Sequence, residues 1–171
     1  MSYGMIKQRT RAARGPLPRG TVTLVCGPPC AGKNTYVDQH RQPGDLVVDF
    51  DALITALGGA DDHTVPEQLK AYAYDARDAI LDRLFSRPTP VRAAWIILCA
   101  PTAAERRRYR ALGVRVVLLN TDQATCLERA AAHRPPEFAG HVLEWFDTYE
   151  PGQADEIIAH RRDAPPSAAA L

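Results

Sequence analysis

No stretch of this 171-residue sequence is apolar for long enough to cross a bilayer. The longest run, Ala93 to Ala100, is less than half of the roughly 20 residues that a membrane helix needs. The N-terminus has no apolar core of the secretory-signal kind, so a cytoplasmic location and no membrane partner are expected. Net charge is nearly absent at +1, and no global field draws the chain to nucleic acid or lipid. Paired C-x-x-C units are missing too: Cys26, Cys30, Cys99 and Cys126 stand singly. They read as reduced thiols in or beside buried segments rather than as zinc ligands. Internal repeats and a second domain boundary are also lacking.

Acidic residues are absent from the first twenty positions, which carry Lys7, Arg9, Arg11, Arg14 and Arg19 together with Pro16 and Pro18. Residues 1–20 are therefore expected to be a flexible basic arm, suited to phosphate backbones or simply solvated. Residues 21–163 are expected to form one domain, and residues 164–171 a frayed tail.

Within that domain apolar runs alternate with helical patterns. TVTLVC from Thr21, Leu46 to Val48, AAWIILCA from Ala93 and VRVVLLN from Val114 read as strands buried on both faces, with ADEII as a short closing strand. Helical spacing recurs at Leu69, Ala73, Ala76, Ile80 and Leu84, opened by a capping box at Thr64 and Glu67, and again in ERRRYR, ATCLERAAAH and GHVLEWFDTY. Asp61, Asp62 and His63 read as an exposed loop, and Arg106, Arg107, Arg108 and Arg110 as a solvated face. This alternation predicts an α/β fold: three layers, α/β/α, around a mostly parallel sheet of four to five strands, with ligands at the carboxyl ends of the strands.

The most specific signal lies between the first strand and the first helix. Gly27 to Thr35 reads GPPCAGKNT, in which Gly27, Gly32 and Lys33 satisfy the phosphate-binding pattern G-x-x-x-x-G-K-[ST] and Asn34 stands in the hydroxyl position. Glycines at both ends let backbone N–H groups converge on an anion at a helix N-terminus, and Lys33 adds a mobile charge for the outer phosphates. Gly27, Pro28, Pro29, Cys30, Ala31, Gly32, Lys33, Asn34 and Thr35 are the expected nucleotide-binding residues. An amide oxygen at Asn34 can ligate Mg²⁺, though it is longer than a hydroxyl and cannot ionise. After the second strand come Asp49 and Asp51, two carboxylates that suit either the chemistry of a phosphate site or the cap of a following helix.

Three stretches, CGPPCAGKNT, VVDFDAL and LLNTDQATCLERAAAHRPPE, together resemble the P-loop kinases of the polynucleotide 5′-hydroxyl kinase and zeta-toxin-like group, which are AAA-type ATP-binding kinases. With the EPGQADEII ending, the likeness spans most of residues 21 to 160. It implies a P-loop NTPase fold with a lid segment, and ATP or GTP with Mg²⁺. The implied activity is γ-phosphoryl transfer to a hydroxyl, the first acceptor being a DNA or RNA 5′ end or a modified nucleobase. Nucleotides, nucleosides and other small molecules are alternative acceptors, and a nucleotide-binding regulatory module with little turnover is the alternative to an enzyme. By the same resemblance Asp51 is the base on the acceptor, and Arg129 and Arg134 are the lid arginines. Related enzymes place an Asp for the magnesium shell at the end of the third strand, where this chain has Cys99, Ala100, Pro101 and Thr102, so Asp49 or Asp51 is expected to join Asn34 at the metal through water, Asp49 being the first choice. The arginine that the family carries three residues after that base is Ile54 here.

Overall fold

The computed structural model describes residues 20–60, 65–88 and 90–159. The basic arm before Gly20, Thr64, the Asp61 to His63 cluster and the C-terminal tail lie outside the described residues. Five strands, β1 (Thr21–Cys26), β2 (Leu46–Val48), β3 (Ala93–Leu98), β4 (Arg115–Leu119) and β5 (Glu156–Ile158), form one parallel sheet in the order β2-β3-β1-β4-β5. The helices are α1 (Lys33–His40), α2 (Phe50–Ala56), α3 (Glu67–Ser86), α4 (Ala103–Ala111), α5 (Gln123–His133) and α6 (Phe138–Thr148).

Both faces of the sheet are covered, which explains why its strands read as continuous apolar runs. Val22, Leu24 and Cys26 of β1 point into a core shared with Leu81, Leu84 and Phe85 of α3, Tyr109 of α4 and Trp145 of α6. Val25 points the other way, among Val37 of α1, Trp95, Ile97, Val117 and Leu119. The result is the expected three-layer α/β/α fold. Each fully buried aliphatic side chain contributes on the order of 2 kcal/mol. The chain crosses from one half of the sheet to the other at β1, so the crevice at its carboxyl end is where a ligand is held in such sheets.

Three local features depart from the sequence reading. Residues 50–56 are helical, so Asp51 sits in the first turn of α2 instead of at a strand end, and Asp49 is the N-cap. Gly58, at φ 102°, closes that helix: its N–H bonds the Thr55 carbonyl and the Gly59 N–H bonds the Ile54 carbonyl. Helix α3 opens at Glu67 with Pro66 as N-cap, two residues later than the proposed box requires. The genuine capping box lies at the start of α4, where Thr102 and Glu105 bond each other's backbone.

Arg106 is the third departure, because its side chain is only 1% exposed. Its guanidinium donates to the carbonyls of Pro101, Glu150 and Gly152 and lies 5.1 Å from the Tyr149 ring centroid. One cation of the arginine run thus fastens the segment after α6 to the loop after β3. Arg110 is committed as well, bonding Asp155 at 2.9 Å beside the start of β5.

Candidate active site

The phosphate loop occupies the turn from β1 to α1. Gly27 adopts φ 146°, and a Cβ there would lie 2.4 Å from the Leu119 carbonyl oxygen, so no larger residue fits. Gly32, at φ 93°, is the N-cap of α1. Between them Cys30 also takes a left-handed conformation, φ 63°, which costs a residue with a Cβ about 1 kcal/mol. Packing accounts for its retention. The Cys30 side chain lies against the small core of Cys126, Ala130 and Val142, and its carbonyl accepts from Arg129 Nη1 at 3.1 Å. Ala31 is buried; its N–H bonds the Pro28 carbonyl at 3.2 Å and its carbonyl accepts the Thr121 hydroxyl at 3.2 Å. Pro28 is buried and Pro29 half-buried, while Thr35 is exposed in the first turn of α1.

Lys33 folds back over this loop. Its Nζ donates to the carbonyls of Gly27 at 2.9 Å and Pro28 at 2.8 Å and meets Cys99 Sγ at 3.7 Å. Asn34, next along α1, donates through Nδ2 to Asp49 Oδ2 at 2.9 Å. Asp49 Oδ1 in turn caps α2 by accepting the Asp51 N–H at 3.4 Å. Burial raises the pKa of Asp49 above the usual carboxylate value, and the neighbouring Asp51 charge raises it further; the Asn34 bond pulls in the opposite direction. Asp49 thus stands against the first turn of α1, where the phosphate loop ends.

These residues fit a magnesium ion of the kind that nucleotides carry. Among the described residues no group of three His, Cys, Asp or Glu can hold a metal without help. Mg²⁺ commonly takes one or two protein ligands and fills its octahedron with water and phosphate oxygens. Asp49 is a half-buried carboxylate beside a second one, an arrangement that a cation relieves. The Asn34 amide, with its nitrogen committed to Asp49, has its oxygen turned elsewhere.

Arg129 reaches the loop directly through Cys30. Arg134 is the C-cap of α5; it donates to the His133 carbonyl at 3.1 Å and lies 5.8 Å from the Phe138 ring centroid. Its charge still counters the burial that raises the Cys30 thiol pKa. Ile54, where the resembled kinases carry arginine, is 2% exposed and packs under Gly59. That position faces the interior here, which explains the apolar residue. Sequence reading does not single out Trp145 at this site, and it places Cys99 at the end of the third strand without its contact to Lys33; β3 ends at Leu98.

The AAA domain family matches residues 22–146, a span that takes in the phosphate loop, both carboxylates and both arginines. The chain belongs to the AAA domain family. No curated protein matches this AAA domain. Among solved structures, TT1252 from Thermus thermophilus is similar with a TM-score of 0.53 and 17% identity, over 85% of this chain and 90% of that one. A shikimate kinase from Acinetobacter baumannii, in complex with shikimate, gives a TM-score of 0.55 and 17% identity over 85% and 86% of the two chains. The AAA domain described here therefore has a P-loop kinase-like fold. Among the described residues no helix is long and apolar enough to cross a membrane.

Proposed function

We propose that the protein is an ATP-dependent phosphotransferase that moves the γ-phosphoryl group to a hydroxyl of a small molecule. The observation that carries this reading is the bond from Asn34 to Asp49, which joins the phosphate loop to the α2 N-terminus bearing Asp51. In this reading residues 27–35 hold the phosphates, Lys33 meets the outer ones, and Arg129 and Arg134 neutralise charge that develops during transfer. Asn34 and Asp49 would hold Mg²⁺, which neutralises phosphate charge when bound. Asp51 orients the acceptor hydroxyl and takes its proton; the freed oxygen bonds the γ-phosphorus, and ADP departs.

Support for a small acceptor comes from the arginine run of α4. Arg106 is buried and Arg110 is paired with Asp155, which leaves Arg107 and Arg108 of the four as a phosphate-tracking surface. The second reading, a DNA or RNA 5′ end as acceptor, draws on the five cations without acids that precede Gly20. The test is magnesium-dependent consumption of ATP and of GTP with a panel of polyols, sugars, hydroxy acids and nucleosides, and with a 5′-hydroxyl oligonucleotide. Lys33→Ala, which removes the loop's one side-chain cation, serves as the blank. Stimulation by a small hydroxyl compound supports the proposal, and stimulation only by oligonucleotide selects the second reading. Nucleotide binding without turnover across the panel would leave a regulatory module.

A further inference from the structure

We infer that Trp145 is a positioning residue for Lys33, reaching it through the peptide of Cys99. Trp145 belongs to α6, the second helix of the hairpin whose first helix carries Arg129. It is 5% exposed, and its Nε1–H donates to the Cys99 carbonyl at 2.9 Å. That same carbonyl accepts the N–H of Gly27, the first residue of the phosphate loop, at 3.4 Å. Both groups that flank the shared acceptor then bear on Lys33: the Gly27 carbonyl at 2.9 Å and the Cys99 Sγ at 3.7 Å each take its Nζ.

One indole N–H therefore fixes the peptide from which two of the three contacts of the Lys33 ammonium are set. The indole is itself held from behind. Its ring stacks on Tyr149 with centroids 4.4 Å apart and planes 14° apart, and the Arg106 guanidinium lies over the Tyr149 ring, 5.1 Å from its centroid. Arg106 is anchored to the carbonyl of Pro101, two residues beyond Cys99, so the stack is tied to the loop that it positions. On the other side of the hairpin Arg129 grips the Cys30 carbonyl. The hairpin thus holds the phosphate loop at two points, at its middle directly through Cys30 and at its start through Cys99 and Gly27. A misplacement of about 1 Å at a reacting group is enough to cost rate heavily.

The inference rests on the phosphotransferase reading for its kinetic arm and on nucleotide binding alone for its spectroscopic arm. The sequence holds two tryptophans, and the other, Trp95, donates its Nε1–H to Asp45 beside the amino-terminal end of β2, at the far edge of the sheet from the loop. In an NMR spectrum of the ¹⁵N-labelled full chain, ATP with Mg²⁺ should shift the Trp145 indole resonance and leave that of Trp95 in position. Trp145→Phe assigns the two signals, or Trp95→Phe does so where the first variant fails to fold. Trp145→Phe keeps the ring on Tyr149 and deletes only the N–H. We expect ATP affinity within about threefold of the parent and kcat lower by about tenfold, the scale of one lost hydrogen bond to a positioned group. A Trp145 signal indifferent to nucleotide, or equal kcat in the variant, overturns the inference. A wild-type chain that binds ATP and phosphorylates nothing defeats the kinase reading instead, and the indole shift alone then decides the coupling.

Discussion

The side-chain amide of Asn34 donates to the carboxylate of Asp49 at 2.9 Å, across the gap between α1 and the N-cap of α2. A serine at that position would be shorter; the longer amide spans the distance and keeps the carboxylate turned toward the phosphate loop. In the proposed metal site Asn34 would act twice, as a donor to Asp49 and through its amide oxygen.

Asn34→Ala removes both contributions. Without the bond that opposes burial, the Asp49 pKa rises further and its carboxylate binds a cation less readily. Half-maximal turnover should then need several-fold more magnesium, with nucleotide affinity in magnesium-free buffer unchanged. A magnesium titration of initial rates reads this directly, and an unaltered midpoint would show that Asn34 has no part in the metal shell.

Asp49→Asn should make the protein more stable and less active. Because the folded-state pKa of Asp49 lies above its unfolded value, ionising it works against the fold. That destabilisation is complete above the raised pKa and vanishes below the ordinary value of 3.8. An asparagine retains one oxygen for the cap, and its amide nitrogen donates to the Asn34 amide oxygen once that side chain flips. The variant should melt higher than the parent near neutral pH, and the difference should close as pH falls through the raised pKa. Scanning calorimetry across that range checks the sign; a lower melting temperature at neutral pH would refute it.

Asp51→Asn leaves the loop and Lys33 untouched. Nucleotide affinity should stay within a few fold while transfer to the acceptor falls by about 10²-fold or more, the usual scale of a general base. Calorimetric binding and single-turnover transfer, measured on the same preparation, separate the two effects. Full transfer by this variant would reassign the acceptor base.

Arg106→Met keeps much of the buried stem and removes every donor. The carbonyls of Pro101, Glu150 and Gly152 would then lack their partner, and a loss of about 3 kcal/mol is expected. Urea unfolding monitored by tryptophan fluorescence measures it. A loss under about 1 kcal/mol would mean that water enters and satisfies the three oxygens.

The sheet and the phosphate loop were legible because each leaves a local mark. Strands covered on both faces read as unbroken apolar runs, as TVTLVC and AAWIIL do, and the loop needs Gly27 and Gly32 at fixed spacing. Helix α2 escaped notice because it is 7 residues long and follows its strand without a break. Its legible signal was the Gly58-Gly59 pair, which caps it and reads equally as loop. The spacing draws the face of α3 through Leu69, Ala73, Ala76, Ile80 and Leu84; Ala73 and Leu84 are buried and Leu69, Ala76 and Ile80 half-buried, but the buried stripe also takes in Arg77, Leu81 and Phe85. A charge inside an apolar stripe defeats a periodicity argument. Arg106 and Trp145 were illegible for a deeper reason: their partners are backbone carbonyls distant in the chain, and a carbonyl has no letter of its own.

The buried guanidinium of Arg106 also sets an order of events during synthesis. Two of its three acceptors are backbone oxygens 44 and 46 residues downstream, so they emerge from the ribosome well after α4 and β4. Until they arrive the cation has only the Pro101 carbonyl and must remain hydrated, which keeps α4 from closing fully on the sheet. Chains released before Glu150 should therefore stay loosely collapsed, and the domain should reach its final compactness only when its last strand is free to dock.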